Sequence, residues 1–244
     1  MMYSRFAAFY DRLQEADYEK IGSYYHKLLC RGELRSPEKR ILLDLACGTG
    51  RLSRYFADLG YDVIGADISQ EMLSEAAKTP HKNIQYLCQD MTRLDLFGTI
   101  DCCICVLDSI NHLPDLHAVK QAFERVSLFM NSGGTFAFDL NTLYKHNKIL
   151  SGNSFIYDLG DIYCVWNNSP CENGKIDMTL DIFALYGTSW RRYAENLSER
   201  AYQTFEITQL LEAAGFGDIK IYDWLSENPA NKLSEKAVFT AVKE

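Results

Sequence analysis

Asp44, Gly48, Gly50 and Asp67 are the residues whose types and spacing point first to chemistry. Asp44 follows the apolar run Ile41-Leu42-Leu43 and leads into Leu45-Ala46-Cys47-Gly48-Thr49-Gly50. Such a run reads as a buried strand ending in a small-residue turn, with a helix starting near Leu52. Glycines there allow positive φ and close approach of the backbone to a ligand. The N–H groups that open the next helix face the same space. An acid at the end of the strand repels a pyrophosphate and attracts an ammonium. Asp67 lies 19 positions beyond Gly48 and closes a second short apolar run, Tyr61 to Ala66. In a strand–turn–helix–strand unit an acid at that distance is placed to accept from ribose hydroxyls. The Gly-x-Gly spacing alone, with Ser53 at the third position, carries little; two bracketing acids make it specific.

The elements that must position these groups follow in order. Residues 3–31 read as two amphipathic helices, with Phe6, Phe9, Tyr10 and Leu13 on one stripe, and Pro37 marks the approach to the first strand. Ser69 caps a helix with Glu71 in its first turn. A third strand, Ile84 to Cys88, delivers Gln89-Asp90-Met91 at its end. The run Ile100 to Leu107 is apolar on both faces and reads as a central strand. It empties into Asp108-Ser109-Ile110-Asn111-His112-Leu113-Pro114-Asp115. A helix follows from about Leu116 to Met130, ended by Gly133-Gly134, and a fifth strand from Thr135 to Asp139. Residues 141–203 alternate between polar and apolar and are broken by Asn, Gly and Pro, which reads as a small antiparallel β unit. Thr204 is expected to cap a helix that stops at Gly215. Two terminal strands, Gly217 to Trp224 and Ala237 to Val242, complete the sheet.

Taken together, LLDLACGTGRL, VIGADIS and Gln89-Asp90-Met91 resemble the class I methyltransferases that use S-adenosylmethionine. The likeness covers residues 38 to 140 well and the C-terminal strands loosely. It implies an α/β fold: a Rossmann-like seven-stranded sheet with helices on both faces and a last strand running antiparallel between its neighbours. The resemblance also implies that the turn Asp44–Gly50, including Ala46, Cys47 and Gly48, holds the methionine part of S-adenosyl-L-methionine. Ala46 stands where the family commonly has glycine. Asp67 would take both ribose hydroxyls, while Asp90 and Met91 meet the adenine. Ile68, Leu107 and Asp108 complete the implied cofactor set. Ser109 and the run His112-Leu113-Pro114-Asp115 are similar to the loop of glycine-type N-methyltransferases. The Asn/Asp-Pro-Pro-aromatic and Pro-Cys signatures of DNA methyltransferases do not occur there. Small-molecule members often carry a Tyr-Asp pair on an N-terminal lid helix, matched here by Tyr10-Asp11.

Composition narrows the partners. The net charge of −8 in 244 residues speaks against nucleic acid, whose phosphates demand a basic surface. No apolar stretch is long enough to span a bilayer, and the N-terminus lacks a signal peptide's apolar segment, so a cytoplasmic location is expected. Of the eight cysteines, three sit inside the apolar run 100–107, where the thiol behaves as a small hydrophobe, and no metal site or disulfide is expected. The expected organisation is one methyltransferase domain. It comprises an N-terminal helical lid over 1–35, a core over 36–140 and 204–244, and a substrate cover over 141–203.

Methyl transfer from a sulfonium is an in-line displacement that depends on alignment and on removal of a proton from the acceptor. His112 is the candidate base, with a backbone-bonded loop histidine or a cofactor contact as the other roles open to it. Tyr10 belongs either to the site or to the packing of its helix. Asn141, Trp166, Arg191, Tyr193 and Arg200 are candidate substrate contacts, and Glu195 to Arg200 read equally well as a salt-bridged surface stretch. The expected activity is methylation of nitrogen or oxygen on a small molecule. Alternatives are a non-catalytic S-adenosylmethionine-binding regulatory subunit, a transfer-RNA or other nucleic-acid methyltransferase, and a nicotinamide-dependent oxidoreductase, which Asp44 and the missing third glycine oppose.

Overall fold

In this computed structural model the described residues are 6–14, 16–30 and 40–244. The chain opens with α1 (Ala7–Leu13) and α2 (Tyr18–Leu29), then β1 (Ile41–Leu45), α3 (Arg51–Asp58), β2 (Asp62–Asp67), α4 (Gln70–Ala76) and β3 (Ile84–Cys88). It continues through β4 (Ile100–Cys105), α5 (Leu116–Phe129) and β5 (Met130–Asn141) into four further strands. These are β6 (Ser154–Asp158), β7 (Ile162–Asn168), β8 (Lys175–Tyr186) and β9 (Ser189–Arg200). It ends with α6 (Thr204–Ala213), β10 (Phe216–Asp223) and β11 (Lys236–Lys243). The expected helical residues 3–5 and 31, the outer ends of the 1–35 segment, and Pro37 lie outside the described residues.

Seven strands form one sheet in the order β10-β11-β5-β4-β1-β2-β3, and β11 alone runs opposite to the other six. Period-two alternation fills both faces. Leu42, Cys102, Ile104 and Ala137 pack toward α2 and α3, while Leu43, Cys103, Cys105, Phe136 and Phe138 pack toward α5 and α6. The same alternation sends Cys102 and Cys105 to opposite faces, so these two thiols do not converge. The chain order reverses between β1 and β4, which places a crevice at the carboxyl ends of those strands.

The segment after β5 forms a second sheet, an antiparallel meander β6-β7-β8-β9. Its buried residues (Cys164, Met178, Leu180, Ile182, Leu197) share a third core with Phe6, Phe9 and Leu13 around α1 and with Met72 of α4. Of the two N-terminal helices, then, α2 covers the large sheet and α1 packs on the small one. Arg12 fixes that packing by donating from both terminal nitrogens to Asp161, each at 2.7 Å.

Two boundaries differ from the sequence expectation. Gly133-Gly134 does not precede β5 but lies within it: Ile100 pairs with Met130 and Cys102 with Thr135, an irregularity that Gly133 absorbs at φ 78°. The cap of α6 is Gln203, not Thr204, because Gln203 and Glu206 form a reciprocal capping box. Ser69 caps α4 by accepting from Met72 N, and Gly215 takes a positive φ of 82° after α6, both as the sequence indicates. Among the described residues no helix is long and apolar enough to cross a membrane.

Candidate active site

A cavity of about 390 Å³ opens at the carboxyl ends of the strands. The large sheet contributes Leu45, Ala46, Gly48, Asp67, Ile68, Asp90, Met91, Leu107, Asp108 and His112 to its wall. The second sheet contributes Tyr157, Cys164, Trp166, Leu180, Leu197 and Glu199, and α1 with its flanks adds Phe6, Tyr10 and Leu13. Asp44, Cys47 and Gly50 stand in the same turn but are not part of the lining.

The glycine turn is built around Asp67. Its carboxylate accepts from Gly48 N and from Ser69 N, each at 2.8 Å, tying the first turn to the end of β2. Burial pushes the Asp67 carboxyl up, and these two N–H donors pull it back. Gly48 sits at φ 55°, and a Cβ there would meet nothing within 4 Å, so its glycine answers to the backbone angle. Gly50 answers to both the backbone angle, at φ 72°, and packing: a Cβ at that position would lie 2.2 Å from the hydroxyl of Tyr86. Gly65 makes room for the same ring, 2.7 Å from a Cβ built there. Ala46, without a glycine's freedom, holds φ 61°. Asp44 is buried and accepts from Ser53 Oγ at 2.5 Å. Burial pushes its carboxyl up to about 7. Thr49 of this turn donates to Asp11 Oδ1 at 2.6 Å, fastening α1 beside the cavity.

The turn after β4 is strained. Leu107 and Asp108 are consecutive non-glycine residues in the left-handed region, at φ 62° and 57°. Fully buried Asp139 clamps them: Oδ2 accepts from Leu107 N at 2.7 Å and Oδ1 from Asp108 N at 2.8 Å. Tyr25 Oη donates to Oδ2 at 3.1 Å, and Lys236 Nζ donates to Oδ1 at 3.3 Å and also to Asp108. Burial favours the neutral acid at Asp108, but Lys236 and Lys145 outweigh it and hold the carboxyl far below the usual range. Lys236, buried yet flanked by both carboxylates, is held above the ordinary lysine value.

The loop that follows is joined to the second sheet. Asn111 is fully buried; its Oδ1 accepts from Asn141 N at 2.8 Å, and its Nδ2 donates to the carbonyls of Asn141 and Arg200 at 3.1 and 2.9 Å. His112 Nδ1 donates to the Ser198 carbonyl at 3.2 Å, and its Nε2 lies 4.0 Å from Glu199 Oε1. Asn141 is buried outside the lining and donates from Nδ2 to Glu199 Oε2 at 2.9 Å. Trp166 lines the cavity and donates from Nε1 to Asn168 at 3.0 Å. Arg200 instead braces the backbone, donating to the carbonyls of Pro114 and Asn173 at 2.8 and 3.0 Å. Arg191 stacks over the ring of Tyr186, and Tyr193 packs on Phe9; neither belongs to the lining.

Asp139 and Lys236 were not singled out by spacing, and Glu199 only as one of the residues 195–200. Two signals were available. Asp139 interrupts the otherwise apolar Phe136–Leu140. Glu199 shares the period-two phase of buried Leu197, which turns both inward.

Comparison with known proteins decides the class. Residues 42–134 match the family described as Methyltransferase domain. A putative methyltransferase of Geobacillus sp. is 30% identical over 100% of both chains. The crystal structure of an S-adenosylmethionine-dependent methyltransferase from Clostridium acetobutylicum is also 30% identical, with a TM-score of 0.87 over 99% of this chain and 98% of that one. The chain belongs to the S-adenosylmethionine-dependent methyltransferases. An amino pentose methyltransferase from Micromonospora echinaspora, 17% identical, shares the fold of this methyltransferase at a TM-score of 0.78 over 100% of this chain and 99% of that one. The lining fits the cofactor of the family. Asp67 and Asp90 offer acceptors for hydroxyl and amino groups, and no Lys or Arg among the described residues lines the cavity to receive a pyrophosphate.

Proposed function

We propose that this methyltransferase acts on nitrogen or oxygen of a small molecule held between the end of β4 and the second sheet. The observation that carries the reading is that one cavity has two unlike halves. One half presents Asp67, Asp90, Met91 and the Gly48 backbone; the other presents His112, Glu199, Trp166 and Tyr157. In the first half, Asp67 would accept from ribose hydroxyls and Asp90 from the adenine amine, with Met91 and Ile68 against the base. Leu107 and Asp108 stand where the halves meet. S-adenosylmethionine, when bound, supplies an electrophilic methyl whose carbon–sulfur bond breaks as the acceptor lone pair forms the new bond, leaving the electron pair on sulfur.

The chain's own residues align and deprotonate. His112, whose Nδ1 donates to the Ser198 carbonyl and whose ring is held by that contact at the cavity wall, would act as the general base. Alignment in such a cavity can supply about 7–11 kcal/mol of the barrier. Tyr10 and the α1 segment form a lid over the cavity, and the second sheet is the substrate cover. The amino pentose methyltransferase, with the same fold, acts on a small molecule by its description, which supports this reading.

The test is calorimetric titration with S-adenosylmethionine, followed by transfer of a labelled methyl into small-molecule and RNA fractions. Micromolar binding, its loss in Asp67→Ala, and label in a small molecule are expected. No heat with the wild type, or label confined to RNA, overturns the proposal.

A further inference from the structure

We propose that two copies of this chain pair face to face through the outer side of the β6–β9 sheet, the side turned away from the cavity. The pairing stands or falls independently of the acceptor that the cavity receives.

Period-two alternation sends one set of side chains of this sheet into the third core and the other set outward. The cross-strand register lines up the outward set in rows. One row is Ile156, Val165, Asp181 and Ala194; the next is Asp158, Tyr163, Phe183 and Arg192; Leu185 and Trp190 come after it. An antiparallel sheet with one face in water shows polar residues outward. The row of Ser154, Asn167, Thr179 and Asn196 does so, but the rows beyond it do not. Ile156, Tyr163, Val165, Phe183, Leu185 and Trp190 belong to none of the three cores among the described residues. Ile156 is 62% exposed and Trp190 49%. The helical residues that pack on this sheet, from α1 and Met72 of α4, lie with the inner set. A contiguous apolar face of this kind marks an interaction site.

Charge selects the occupant. Asp181 Oδ1 accepts from Arg192 Nε and Nη2 at 2.8 and 2.6 Å, and Lys175 Nζ lies 2.8 Å from Asp177. With its cations paired and Asp158 adding a negative charge, the face attracts neither nucleic acid nor an anionic bilayer. It does complement itself. A two-fold axis in the plane of contact, passing between Asp181 and Arg192, sets Asp181 against Arg192 of the partner subunit, and does so twice. On regular strand spacing the same operation brings Phe183 onto its own copy and Ile156 over Leu185 of the partner subunit. The area suffices. At about 3.4 Å per residue and 4.8 Å per strand the face spans roughly 600 Å², so two copies bury about 1,200 Å², the lower end of a specific interface. Pairing turns a sheet packed on one side into half of a sandwich, and so stiffens the wall that carries Tyr157, Trp166 and Glu199.

The test is sedimentation equilibrium of the full-length protein over about 1–50 µM, with circular dichroism as the check on folding. A reversible dimer is expected. Ile156→Asp, at an exposed position of the single chain, is expected to weaken it at least a hundredfold with an unchanged spectrum. Asp181→Arg and Arg192→Glu each place like charges on both sides of the contact, and each is expected to dimerise at least tenfold more weakly. An equimolar mixture of these two variants is expected to recover the dimer, because opposite charges then meet across the interface; mixing cannot repair a pair lost within one chain. If Ile156→Asp does not fold, the mixing experiment decides. A wild type that stays monomeric, a dimer that Ile156→Asp leaves within threefold, or a mixture no tighter than its parts overturns the proposal. So does a monomer that adsorbs to phosphatidylcholine vesicles, which would assign the face to a bilayer.

Discussion

Asp139→Asn tests whether the site is held in place by a buried charge far from its motifs. In the wild type one carboxylate meets two adjacent backbone N–H groups, one oxygen each, at 2.7 and 2.8 Å. An amide of the same shape offers only one acceptor oxygen, so in either orientation one N–H faces an NH₂. Lys236 Nζ meanwhile loses one of its two anions, keeping Asp108 alone. Breaking a buried charged set by altering one partner costs about 3–5 kcal/mol. The turn has little reserve against this, because each left-handed non-glycine residue already costs about 1–2 kcal/mol. For a domain of this size 1 kcal/mol corresponds to roughly 2–4 °C in Tm, so a fall of about 6–20 °C is expected. Leu107 and Asp108 line the cavity, so cofactor affinity should fall with it, by tenfold or more. Circular dichroism melts and calorimetric titration with S-adenosylmethionine measure both. A variant that melts within 2 °C of the wild type and binds within twofold would refute the idea that Asp139 holds the turn.

Two further outcomes follow from the glycine turn. The Asp44 carboxyl is pushed up to about 7 by burial, above the ordinary value of 3.8, so the folded state holds its proton more tightly than the unfolded one. That contribution is full below about pH 4 and is lost as pH rises toward 7, an effect on the order of 4 kcal/mol; Asp44→Asn should therefore flatten Tm between pH 5 and 8, and unchanged pH dependence would count against it. Gly50→Ala drives a methyl to 2.2 Å from the Tyr86 hydroxyl at a φ that disfavours alanine, and should cost about 1–3 kcal/mol. Restoring Tm in Gly50→Ala/Tyr86→Phe, which removes the clashing oxygen, would assign the loss to that contact; a double variant no better than the single one would not.

The glycine-turn wall of the cavity was legible because its parts are close in sequence. Strand, turn, helix and acid fall within residues 41–67, and local propensity together with burial pattern places Gly48 against Asp67. The fold class followed from the same alternation of strands and helices, and the antiparallel β11 from family resemblance. What spacing could not supply is the set of contacts made across the whole chain: Asp139 meets Lys236 from 97 positions away, and His146 meets Glu199 from 53. These pairs depend on which strand ends become neighbours, and nothing in a local window encodes that. Arg191 illustrates the opposite error, since a cation near the cover looks functional by type but projects onto Tyr186 at the strand's far end. Glu199 shows how such cases can be separated. It sits on the inward phase of β9, next to Ser198, whose carbonyl orients His112, and Arg200, whose carbonyl is held by Asn111. A charged residue in the buried phase of a strand needs a partner, and here Asn141 and His146 supply it while one oxygen stays toward the cavity. An acid kept inside at that cost, beside the candidate base, is better explained by what the cavity receives than by the stability of the sheet that carries it.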